Sequence, residues 1–332
     1  MKEIDTRNVV DPLIPNLAGY AYRLAFLYKI PNNEKPIKIY PTDNFILQVE
    51  FDKYKSGESR LALSCGAFYI LYEYIKIFLS DNDIFKGVGR SSGIAKLYSL
   101  NIKDYGLSYT NVDSSVMSND PILFDEKRIE LIDFLFAMAS RFLIAHEMVH
   151  IFDGHTEYLT QLFTEARLIG NEEFKIDPLI SQTLEWDADL VASNIAYDWT
   201  KTAGSGIPIL QADPHLGAYS LSFVTNLLLT LFLNKVSLLS SSDDHPSSAV
   251  RTAYIGGHLS KMKYNNDEKN SSVNALHDFW ATAQKCFTLC DLSEYKKMFE
   301  EDLYMESYAS YFAQWKKLVI PLQRHATVDL SD

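Results

Sequence analysis

The chain is poor in cysteine: Cys65, Cys286 and Cys290 are the only three in 332 residues, too few for a disulfide framework and too scattered for a thiolate metal site. Cys286 and Cys290 share a helical face, but in so apolar a stretch packing is their expected role. There is also no run of Lys or Arg. With 31 basic against 43 acidic residues the formal net charge is −12, so nucleic acid is not an expected partner. Acidity of this kind serves solubility and names no substrate. A membrane span is missing too. The uncharged run 217–233 is shorter than the ~20 apolar residues a crossing helix needs. It also carries Ser220, Ser222, Thr225, Asn226 and Thr230, which suits a buried helix of a globular protein. Met1 to Asp5 has mixed charge and lacks the apolar centre of an export signal. Together with thiols expected to stay reduced, this gives a cytoplasmic expectation. No internal repeat or low-complexity tract is present. What is abundant is core-forming material: 47% hydrophobic residues against 22% charged, enough for one large or two ordinary domains.

Local patterning predicts an α+β protein, predominantly helical, with a small N-terminal sheet packed on a helical core. Ile37 to Tyr40 and Phe45 to Phe51 read as short strands separated by the turn-prone Pro41-Thr42-Asp43-Asn44. Leu61 to Leu79 reads as one long apolar helix with Gly66 near its start, and 80–120 as loops or a substrate-facing edge. Phe134 to Phe152 contains neither Gly nor Pro and reads as a buried helix stopping near Asp153-Gly154. After His245 the pattern is helical to about residue 318, interrupted by the polar stretch 261–272. Asn274 to Cys290 and Ser293 to Phe312 read as amphipathic helices whose aromatics belong to the core, and 327–332 as a frayed end. The expected organisation is 1–130, an α+β segment; 131–260, the functional core; and 261–332, a helical segment, all in one continuous globular unit.

The chemistry lies in His146-Glu147-Met148-Val149-His150, an H-E-x-x-H pentad inside the buried helix. At 3.6 residues per turn the two histidines share one face, so two imidazole nitrogens can meet one metal ion. Glu147, about 100° round the helix, can reach a water on that metal. Buried polar groups need partners, and a cation is one.

A catalytic zinc takes three protein ligands and keeps a fourth position for water. His155 is one candidate for the third, but the metzincin pattern H-E-x-x-H-x-x-G-x-x-H requires Gly at 153 and His at 156, where this chain has Asp153 and Thr156. His155 is therefore expected at a helix end or supporting a ligand. Glu185 is favoured. It stands one helical turn from Asp189 in an apolar context, so Glu185 can bind metal while Asp189 accepts from the far nitrogen of a ligand histidine. Asp187, on another face, is expected to be solvent-exposed or a local cap.

The order H-E-x-x-H, then E-x-x-x-D, then His245-Pro246 followed by Arg251, resembles the gluzincin metallopeptidases, in particular the HtpX-like and CAAX-prenyl-protease branch. The similarity spans about residues 134–260. The membrane spans of that branch are missing, and in size and composition the chain is similar to the soluble Lit-type phage-exclusion peptidases. The resemblance implies a Zn2+ cofactor held by His146, His150 and Glu185, with Glu147 as general base, Asp189 supporting a ligand and His245 donating to the transition-state oxyanion. It also implies that Arg251 either steadies its helix or faces substrate. The expected activity is zinc-dependent endopeptidase action on a protein or peptide, with substrate added as a strand to a sheet edge. The alternative is a metal-binding regulatory protein that keeps the fold, its activity absent or dependent on an activating partner. A base beside the metal argues against a purely structural zinc.

Overall fold

Asp5 opens the first helix by accepting a hydrogen bond from the Arg7 N–H, and α1 then runs Thr6–Leu27. Val10, Ile14, Leu17, Ala21 and Leu24 form its buried stripe at helical spacing. The computed structural model describes residues 5–28, 37–42, 49–53, 59–93, 122–204, 220, 224–225, 245–246, 248–262, 281 and 301–330. Within these lie β1 (Ile37–Thr42), β2 (Val49–Lys53), β3 (Ser59–Ser64), α2 (Cys65–Leu79), α3 (Glu126–Phe152), α4 (His155–Leu168), α5 (Pro178–Gly204), α6 (Ser248–Met262) and α7 (Glu301–Gln323). The protein is α+β and predominantly helical. None of the described helices is long and apolar enough to cross a membrane.

The three-stranded sheet has the order β1-β3-β2, with β3 parallel to β1 and antiparallel to β2. Here the structure corrects the expectation of a helix from Leu61. Leu61 and Leu63 are fully buried and Ala62 between them is not, a period of two that makes Ser59–Ser64 the central strand. The helix begins only at Cys65. Strand β1 also continues through Pro41, expected in a turn; β1 is an edge strand, where a missing N–H is tolerated. Helix α7 passes the expected end near 318 and includes Pro321. Most of the run 217–233, the expected helix 274–290 apart from residue 281, with Cys286 and Cys290, and all of 94–121 lie outside the described residues.

Helix α3 is the axis of the molecule. It packs against α1, α2 and α5, while α7 lies against α4, α5 and α6. One continuous apolar cluster takes in residues from Val10 on α1 to Tyr311 on α7. At its start α3 carries Arg128, a fully buried guanidinium that donates to the carbonyls of Leu79, Asp81, Ile84, Phe85 and Val88. The turn after α2 is thus tied to α3. Gly89 closes this turn at φ 67°, and a Cβ there would stand 2.5 Å from the Arg128 nitrogen.

At the other end of α3, Asp153 ends the helix and Gly154 turns the chain at φ 76°. A Cβ on Gly154 would meet Ala326 and His325 at 2.7 Å. The neighbouring Thr327 donates its N–H to the Phe152 carbonyl at 2.7 Å and its hydroxyl to the Tyr28 carbonyl at 2.8 Å. Tyr28 in turn stacks on Phe152, with ring centroids 4.1 Å apart.

Candidate metal centre

Eighteen residues of α3 are buried, His146 among them, so the pentad sits where unpaired polar atoms are costly. Across from it, α5 presents Glu185 and Asp189 one turn apart. His146 Nε2 and His150 Nε2 are 3.4 Å from each other. Glu185 bridges them, with Oε2 3.3 Å from His146 Nε2 and Oε1 3.4 Å from His150 Nε2. The two imidazole nitrogens are spaced as two ligands ~2.0–2.1 Å from one tetrahedral ion would be, and each faces one oxygen of the Glu185 carboxylate. Glu185 Oε2 is buried without a well-aligned hydrogen-bond donor among the described residues, as an oxygen meant for a cation would be. The three side chains can therefore hold a metal ion.

Behind these three side chains, Asp189 is completely buried. Its Oδ1 lies 3.1 Å from His146 Nδ1, slightly off the line of a good hydrogen bond. Arg251 on α6 grips the same carboxylate through Nη2 and Nε, at 2.6 and 2.7 Å, and the Tyr254 hydroxyl donates to Oδ2. Arg251 also approaches Glu185 Oε2 at 3.7 Å. So of the two expectations for Arg251, the guanidinium is sealed inside and braces the site from behind. Tyr254 was not anticipated. Its i, i+3 spacing from Arg251 was the available signal, since both side chains then share a helix face.

The charges balance locally. Burial opposes ionisation of Asp189, but the Arg251 charge and the bond with His146 hold its carboxyl down at about 2. Glu185 is likewise well below the usual carboxylate range: burial would raise it, but the closeness of His146 and His150 outweighs that. His146 is pushed up to about 10, because Asp189 and Glu185 overcome the burial that would keep it neutral.

Glu147 is half-buried on α3, next in the chain to His146. His245 stands at the accessible side, 41% exposed, with Nε2 3.7 Å from Glu185 Oε1. It precedes the buried Pro246 and α6, so the element that supplies Arg251 and Tyr254 also positions His245.

Two neighbours differ from expectation. Asp187, expected at the surface, is buried: the corner after α3 brings His155 over it, with His155 Nε2 3.2 Å from Asp187 Oδ2. His155, first residue of α4 and fully buried, is not among the atoms grouped with the pentad; its Nδ1 lies 3.0 Å from His150 Nδ1. Asp153, Asp187 and His155 form a second group compact enough for a cation. Burial lifts Asp153 to about 8, reinforced by the Asp187 charge, and lifts Asp187 to about 6. Burial and the charge of His150 push His155 down to about 3.

No family model matches the chain, and no curated protein or solved structure matches it.

Proposed function

We infer that the protein is a zinc-dependent endopeptidase. The observation that carries this reading is the convergence, from two separate helices, of His146, His150 and Glu185 with donor atoms 3.3–3.4 Å apart, beside Glu147 and open toward His245. Two imidazoles and one carboxylate suit zinc better than calcium or magnesium, which prefer all-oxygen sites. When bound, zinc supplies Lewis acidity, lowering the pKa of water and polarising a carbonyl.

The chain's own residues divide the remaining work. Glu147 accepts a proton from the attacking water and returns it to the departing amine. His245, on the accessible side, donates to the oxygen that gains negative charge as the carbonyl becomes tetrahedral. Asp189 keeps the His146 ring oriented, and Arg251 and Tyr254 keep Asp189 oriented and charged. A protein or peptide substrate follows from this chemistry.

Glu147→Gln should retain one zinc per chain while abolishing cleavage in a proteome-wide comparison with wild type. Loss of zinc from that variant would show that Glu147 has another role. Identical cleavage maps with zinc retained would favour a regulatory metal protein, or one silent until a partner binds. Glu185→Ala should lower metal content, and unchanged stoichiometry removes Glu185 as the third ligand.

A further inference from the structure

His150 has two ring nitrogens, and only Nε2 faces His146 and Glu185; Nδ1 faces the buried trio of His155, Asp187 and Asp153, which the proposed hydrolysis does not use. Imidazole chemistry then dictates where protons go. A neutral imidazole carries a single N–H. With Nε2 of His150 given to a metal, its proton is on Nδ1, 3.0 Å from Nδ1 of His155. That atom must accept, so the proton of His155 is on Nε2, 3.2 Å from Asp187 Oδ2. The approach is slightly off the line of a good hydrogen bond, yet both atoms are buried and neither has a better partner among the described residues. A cation in the trio would require a bare Nε2 on His155, and would set N–H against N–H between the two rings.

Resting on the metal reading above, we propose that His155 is a positioning residue that passes the hydrogen bond of His150 on to the buried Asp187 carboxylate. It thereby fixes the tautomer and rotation of that ligand, and the Asp153–His155–Asp187 trio holds a proton rather than a second cation. Gly154 makes this possible: its left-handed turn brings a residue five positions after His150 back against the ring.

The test is zinc affinity, measured with zinc alone against a chromophoric chelator, on the full chain. His155→Phe keeps a ring but can neither accept nor donate, and should weaken binding about 10- to 100-fold. His155→Gln offers one acceptor and one donor, as neutral histidine does, and should recover most of the loss. A packing role predicts the reverse order, and a Phe variant that binds like wild type overturns the proposal. Should His155→Phe fail to fold, Asp187→Asn, which weakens only the far acceptor, should cost about tenfold; unchanged affinity there is equally fatal. Nitrogen-15 NMR of the zinc-loaded wild type supplies a readout that packing does not move. The expected result is one zinc per chain with His155 protonated on Nε2; a proton on Nδ1, or two zinc ions, overturns the proposal. Wild-type protein that binds no zinc removes the metal reading itself, a result distinct from wild type that binds and variants that do not differ.

Discussion

Arg128 and Arg251 are both completely buried, yet they are held by different partners. Arg128 meets five backbone carbonyls of the turn after α2. Its guanidinium spends every contact on shaping a loop, and burial lowers its pKa, only partly offset by Asp125 and Asp81. Arg251 meets the carboxylate of Asp189 and lies near that of Glu185, and these anions raise its pKa despite burial. The first arginine is a structural clamp with no carboxylate in its grip. The second is wired to the ligand face, so its charge bears on whatever binds there. Burial and residue type alike are identical; only the partners tell scaffold from site.

The largest effect should come from Arg251→Met, which leaves Asp189 buried without its cation. Stability should drop by about 3–5 kcal/mol, and zinc affinity should fall with it because His146 loses a fixed support. Denaturant unfolding and chelator competition measure both, and intact zinc affinity in the folded variant would erase the distinction between the two arginines. Arg128→Met should destabilise by roughly 3 kcal/mol as carbonyls lose their donors, while the folded fraction binds zinc as wild type does. A parallel loss of affinity would mean that the clamp and the site are coupled. Gly89→Ala attacks the same clamp from the backbone, forcing a Cβ onto Arg128, and should cost about 1–3 kcal/mol without touching zinc; a melting temperature equal to wild type would show that the turn adjusts freely.

A third way to bury a charge is to neutralise it, as Asp153 does. Its folded pKa, about 8, stands above the ordinary ~3.9 of an unfolded chain. The native state therefore keeps a proton that the unfolded state releases. That contribution is complete below about pH 4 and is lost as pH rises through about 8, with a slope of at most ~1.4 kcal/mol per pH unit. Asp153→Asn retains a donor for Asp187 but no titration, so its stability should be flatter across this window. Equal slopes for variant and wild type would show that Asp153 is ionised in the native state.

The pentad helix was legible because its determinants are local: no Gly or Pro interrupts Phe134 to Phe152, and Asp153-Gly154 ends it. The pairing of Glu185 with Asp189 was readable from spacing alone. Helix α1 was not read, although its buried stripe is regular, because Pro12 and Pro15 interrupt the pattern with a signal that ordinarily ends helices. Strand β3 was hidden by its fusion to α2 at Cys65, where an alternating pattern passes into a helical one without a turn residue. Asp187 was misjudged for a different reason. Its burial depends on His155 and Asp153 beyond the corner of another helix, and Arg251 reaches Asp189 across 62 positions. Contacts of that range leave no periodic trace.

Thr327 hydrogen-bonds the last turn of α3 from 175 positions further along the chain. During synthesis, the carbonyl that closes the pentad helix is without this donor until nearly everything described has emerged. A nascent fragment lacking that latch carries both histidines of the pentad on a helix whose closing carbonyl is one donor short.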